Sequence, residues 1–199
     1  MPTKIQVARH QLGIATMLFI KNFDPISVHC LACGAGGLLE GVAMHNDIEP
    51  FSSHILETHP QLDIATVRIL RNKYWNAFKH FYDRNNKGPR DDEEDLEDFS
   101  DEQNDHFLYI AWHDYQAITG KLTIEVQIFQ IWYYAMYEEK IVKEFDMTKV
   151  FRIFSMLKGS DRARQKSQLN RTVEKYKNNP KVLGDPRTES GILGPKARN

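Results

Sequence analysis

A chain of 199 residues with 41% apolar and 11% aromatic side chains can bury a full core without staples, and its two cysteines exclude a disulfide-built secreted scaffold. The formal net charge of −1 hides a segregation: residues 91–105 hold ten acids and no base, while 158–199 hold eleven Lys and Arg against four Asp and Glu. No run of about 18 apolar residues exists, so no membrane span is expected.

The first predicted helix covers 4–21, with Ile5, Ala8, Leu12, Ala15, Leu18 and Phe19 at helical spacing. Its apolar stretch 11–20 is short and followed by Lys21-Asn22, unlike the cleavage site of a secretory leader. Asp24-Pro25 then supplies an N-cap acceptor and a proline at the first helical position, opening a helix to about His45. Cys30 and Cys33 fall in its middle among Val28, Leu31 and Ala32, which predicts buried reduced thiols and a cytoplasmic setting. Gly34, Gly36 and Gly37 permit close approach of another helix or mark a kink.

A short helix is expected from Pro50 to Glu57, and a long one from Pro60 to about Asp83. Residues 84–104 are turn formers and then acids, a composition that predicts a mobile loop. Helix returns over 103–118 and stops at Gly120, and Thr123 offers a cap for a helix to about 139. The alternation in Lys121–Ile128 admits a strand, but the continuation through Trp132-Tyr133-Tyr134 favours helix. A final short helix begins at Thr148. Beyond Gly159 the apolar density collapses, so 160–177 reads as an exposed basic helix and 178–199 as a tail. The expected fold is all-α, a bundle of five or six helices over 1–157 with the acidic loop inserted, and 158–199 a basic, largely disordered extension. The two charged segments should attract one another weakly.

The residues most able to carry chemistry lie on the long fourth helix. Arg68, Asn72, Asn76 and His80 recur every four positions, each step about 40° beyond a full turn, so they form one slowly drifting stripe flanked by Lys79 and Arg71. Ile64, Val67, Leu70, Tyr74, Ala77, Phe78 and Phe81 make the other, apolar face. Such a stripe can hold a nucleotide or an RNA phosphate, or it can be a hydrogen-bonded seam between helices. The motifs R-N-x-x-x-N-x-x-K-H (Arg71 to His80) and D-P-x-S-V-H (Asp24 to His29) resemble uncharacterised bacterial helical proteins similar to the HEPN group, over about residues 5–138. That group includes metal-independent ribonuclease toxins and RNA- or nucleotide-binding relatives. The resemblance implies a nucleotide- or RNA-binding module, possible as a homodimer, with Arg68, Asn72, Asn76, Lys79 and His80 as ligand-binding candidates. The chain departs from the ribonuclease pattern by placing eight residues between Arg71 and His80, which puts the two on opposite sides of a helix.

Other chemistries find little support. The eight histidines form no E-x-x-H or H-x-x-x-H pair in a helical segment, so no metal is expected. Trp112-His113-Asp114 sets an imidazole beside a carboxylate, but sequence neighbours on a helix project about 100° apart. Ser27 reads as a helix-terminal residue, Gly34-Ala-Gly-Gly lacks the Lys-Ser/Thr of a phosphate loop, and no nucleophile or cofactor is predicted.

Overall fold

The computed structural model describes residues 1, 3–83, 88–142, 145–191 and 193–194. Ten α-helices occupy them: α1 Lys4–Ile20, α2 Pro25–His45, α3 Phe51–Thr58, α4 Ile64–Lys79, α5 Glu93–Glu97, α6 Gln103–Thr119, α7 Ile124–Met136, α8 Thr148–Ile153, α9 Arg162–Tyr176 and α10 Pro180–Leu183. The fold is all-α, and β pairing among the described residues is limited to two isolated bridges, Tyr82 with Pro89 and Leu122 with Thr188.

Local chemistry sets most boundaries. Thr3 and Gln6 form a capping box at the start of α1, and the Asp24 carboxylate accepts from Ser27 N at the start of α2. Gly120 ends α6 in the left-handed region at φ 71°, where a side chain would be strained. The fourth helix is shorter than its periodicity predicts. Asp63 caps it by accepting from Thr66 N, so it starts four residues after Pro60. It stops at Lys79 because Phe81 and Asp83 pair with Arg90 and Gly88 in a short turn-back, Arg90 N donating to Phe81 O and Asp83 N to Gly88 O, both at 2.9 Å.

The core is made by α1, α2, α6 and α7. Ala8, Leu12, Ala15 and Phe19 meet Val28, Ala32, Ala35 and Leu39, and behind them lie Leu108, Trp112, Phe129 and Trp132, all fully buried. Small residues at the α1–α2 contact bring the helices close together, and large aromatics fill the wider space toward α7. Trp112 Nε1 donates to Thr16 Oγ1 at 2.8 Å, which satisfies the one polar atom of a buried indole. Helix α2 is long and apolar enough to cross a membrane by composition, but it is the helix around which α1 and α6 pack. Cys33 is buried on it, and burial pushes its thiol well above the ordinary range, so it is held as a neutral packing group.

Three expectations change. The glycines of α2 are not a close-packing device: Gly37 has open space beside it, and at Gly36 an added Cβ would sit at ordinary contact distance, 3.7 Å, from Ala111 Cβ. The glycine that close approach does require is Gly13 on α1, where a Cβ would lie 2.0 Å from Leu193 O. Second, the expected basic extension packs on the bundle. Helix α9 lays Leu169 and Val173 into the core, and the segment after α10 returns across α1 and α6, where Glu189 accepts from Arg9 Nε and Tyr115 OH, both at 2.9 Å. Arg9 Nη1 donates to Leu193 O, and Leu122 exchanges backbone bonds with Arg187 and Glu189. Third, the acidic segment is not free. Part of the expected loop, 84–87, lies outside the described residues, but 88–102 forms a strap that contains α5 and is anchored by side chains described below.

Candidate functional site

Helix α4 packs on α2 through Val67, Arg71, Tyr74 and Phe78, which turns Asn72 and Asn76 to its opposite side. Of the apolar face expected from the sequence, Val67 is buried, while Leu70 is 59% exposed and Phe81 lies beyond the helix end and is largely exposed. On the far side Ile69 is 70% exposed, three residues from Asn72 and seven from Asn76.

The structure divides the polar stripe by role. Arg71 reaches inward, and its Nη2 donates to Glu40 Oε2 at 2.6 Å. Glu40 is buried on α2 and also accepts from Ser52 Oγ. Burial works to raise the Glu40 carboxyl, but the hydrogen bonds from Arg71 and Ser52 and the charges of Arg71 and Arg68 outweigh it, leaving the group below its usual value. Arg68 lies at the edge of this pair, 3.6 Å from Glu40 Oε1 and 43% exposed. Lys79 is exposed with its Nζ 3.5 Å from the Trp75 ring centroid, a cation held over an aromatic face. Asn72 and Asn76 are half-buried, and among the described residues their carboxamides make no hydrogen bond to each other or to Arg68. His80 stands apart from the helical stripe: it is the C-cap, with extended backbone at φ −124° and ψ 118°. The next cation round the helix, Lys73, is paired with Asp95 of the strap at 2.9 Å.

A second polar assembly, which no local sequence pattern marks, gathers at the start of α6. Asp105 is fully buried and accepts from both terminal nitrogens of Arg162, while Tyr137 OH donates to it at 2.7 Å. Asp101 accepts from Arg162 Nε at 2.7 Å and from Lys166, whose side chain is 1% exposed with its Nζ 4.2 Å from the Phe19 ring centroid. Burial pushes the Asp105 carboxyl up to about 6, against the pull of Arg162 and Tyr137. Burial acts the same way on Asp101, but Lys166 and Arg162 outweigh it there and hold the group low. Two acids and two bases balance, so the cluster clamps α9 to α6 without a net buried charge.

Next to it His29 is fully buried and ringed by Tyr74, Phe78, Phe99 and Phe107, with centroid distances of 4.6–6.0 Å and all four rings near perpendicular to the imidazole. Burial brings its pKa down to about 4, with the Asn104 hydrogen bond acting weakly the other way. His106, one helix position beyond the cluster, is similarly lowered to about 4 by burial and by the charges of Lys140 and Arg162. The remaining histidines show no ligand geometry: among the described residues no group of three His, Cys, Asp or Glu is arranged for a metal. Asp114, beside His113, instead accepts from Phe51 N at 2.7 Å and caps α3.

Two cavities of about 250 and 150 Å³ lie along α7, the first lined by Gln116, Gln127, Gln130 and Tyr134, the second by Ile128, Ile153, Tyr176 and Val182. Neither borders α4. No family model, curated protein or solved structure matches this chain.

Proposed function

We propose that the chain is a non-catalytic binding module that takes a nucleotide, or a short stretch of RNA, on the side of α4 turned away from α2. The observation that carries this reading is the pair of carboxamides at Asn72 and Asn76, which make no hydrogen bond among the described residues and stand on the same side as Arg68 and Lys79. A seam between helices would engage those amides with neighbours, because an unpaired buried carboxamide costs about 1–3 kcal/mol. Two cations with a stacked indole at Trp75 supply what a phosphate and a base require: positive charge, planar donors and a π face. The neighbouring strap limits the ligand's length. Asp95 of that strap sits on Lys73, the next cation round α4, and shares its short helix with Glu93 and Glu94, so a long polyanion meets repulsion where a mononucleotide does not.

The metal-independent ribonuclease alternative needs a free cation and a proton carrier facing one phosphodiester. Arg71 is committed to Glu40 on the inner side, and His80 lies past the helix end, which favours binding over cleavage. The test is titration of the protein with AMP, ATP and a ten-nucleotide oligouridylate at low salt, followed by Trp75 fluorescence. ATP is expected to bind and Asn72→Ala/Asn76→Ala to weaken it by about tenfold or more while stability barely moves. Equal affinity in the double variant would reject the stripe as the binding surface.

A further inference from the structure

The strap over His29 has an unusual construction. Residues 91–101 carry eight acids, and their only large apolar side chains are Leu96, which is 42% exposed, and Phe99. The strap is fixed at one end by the turn-back at Pro89 and Arg90, and at the other by Asp101 on Arg162 and Lys166. Between those ends it is held by the Asp95–Lys73 pair and by Phe99, whose ring stands 5.2 Å from His29, 5.3 Å from Tyr74 and 5.0 Å from Phe78. One ion pair with roughly one-third-exposed partners is a weak tie. Phe99 is therefore the plug of the box.

The chemistry beneath the plug is defined by the hydrogen-bond network. Asn104 Nδ2 donates to Pro25 O at 3.0 Å and to Asp101 Oδ1 at 3.3 Å, which fixes the orientation of the carboxamide. Its Oδ1 must then accept from His29 Nδ1, 3.0 Å away, so the proton of the neutral ring is on Nδ1. Nε2 is left as a bare lone pair, buried and without a hydrogen-bond partner among the described residues. A buried acceptor without a partner in a box of aromatic rings is an unmet demand for a donor, and Phe99 cannot supply one.

We infer that the box under the strap is a binding site for a small aromatic ring bearing one O–H or N–H donor, a phenol or an indole, which takes the place of Phe99 and donates to His29 Nε2. The rings of Tyr74 and Phe78 already hold Phe99 edge to face, and Phe107 stands against the imidazole, so ring-shaped space exists when Phe99 leaves. A donor-bearing guest recovers the hydrogen bond that Phe99 leaves unmade, and an isosteric ring without a donor does not. This inference rests on His29 and Phe99 and is independent of the Asn72/Asn76 surface.

The test uses the full chain with 4-fluorophenol and 4-fluorotoluene, followed by fluorine NMR. In Phe99→Ala, 4-fluorophenol is expected to bind about tenfold more tightly than 4-fluorotoluene, and adding His29→Leu should erase that preference. Equal affinities in Phe99→Ala, or a preference that survives His29→Leu, would overturn the proposal. In the unmutated chain, 4-fluorophenol should displace the strap and speed glutamyl-endoproteinase cleavage at Glu93, Glu94 or Glu97, and an unchanged cleavage rate would count against it. Should Phe99→Ala not fold, the side-chain nitrogen resonances of the unmutated protein decide: 4-fluorophenol must move the His29 Nε2 signal toward its hydrogen-bonded position, and a stationary signal refutes the site.

Discussion

Acid should weaken this fold well before its surface carboxylates titrate, and the origin is the imidazole in the aromatic box. The unfolded chain protonates His29 near 6.5, whereas the folded one resists until about 4. Between those values unfolding takes up a proton, so stability is fully present above 6.5 and declines as pH falls. At pH 5 the His29 difference is worth about 2 kcal/mol relative to pH 7.5, and His106, partly exposed, contributes somewhat less in the same direction. Asp105 opposes them. Its folded value near 6 lies above the unfolded 3.8, so the folded state binds that proton more readily and regains about 1 kcal/mol at pH 5. The net loss is roughly 2 kcal/mol, or about 4–8 °C in thermal midpoint for a chain of this size. Urea unfolding followed by tryptophan fluorescence at pH 7.5 and 5.0 measures it. His29→Gln keeps a donor for Asn104 and cannot titrate, so its pH dependence should shrink by the His29 share whatever its absolute stability. A midpoint that is flat between the two pH values, or a His29→Gln variant with the full slope, would refute the reasoning.

Other outcomes follow from particular contacts. Gly13→Ala should cost about 1–3 kcal/mol by pushing the Leu193 carbonyl off α1, whereas Gly37→Ala, with open space beside it, should be neutral or stabilising by up to about 1 kcal/mol, both read from urea midpoints. Asp105→Leu alone should lose about 3–5 kcal/mol by leaving Arg162 and Lys166 to share Asp101 with one positive charge uncompensated, and pairing it with Arg162→Leu should recover much of that loss, which a double-mutant cycle in urea detects. Deleting residues 91–99 should lower the thermal midpoint by several degrees, because Phe99 and the Asp95–Lys73 pair leave with it, and an unchanged midpoint would show the strap undocked. Purified protein should leave single-stranded RNA intact to the same extent as its His80→Ala variant, since Arg71 is held by Glu40.

The parts of this molecule that were legible in the sequence are those governed by neighbours along the chain. Asp24-Pro25 and Gly120 bounded their helices as cap chemistry demands, and Leu12, Phe19, Leu39 and Trp132 went inside as their spacing required. What failed to show was governed by partners far away. Asp101 and Asp105 look like members of a solvated acidic run until Arg162 and Lys166, about sixty residues later, come to lie on them. Helix α9 looks like an exposed basic segment for the same reason, because its Lys166 is buried and its Arg162 half-buried against those acids. Phe99 offered a faint signal, a lone aromatic in a run of acids, but nothing in the local pattern tells where it inserts. On α4 the four-residue recurrence set Arg68, Asn72 and Asn76 along one side of the helix, and missed that a turn-back between Phe81 and Arg90 would end the helix before His80. It also could not separate Arg71, drawn inward by Glu40, from the cations left outside.

If the Asn72 and Asn76 carboxamides face a ligand, nucleotide binding must reach them directly. Their side-chain NH₂ resonances in a nitrogen–proton correlation spectrum can be assigned by difference with the two single alanine variants and followed during an ATP titration. Both pairs of signals are expected to shift together and saturate with one binding constant, along with the indole signal of Trp75. Signals that stay fixed while resonances elsewhere in the protein respond to ATP would contradict that role for the two carboxamides.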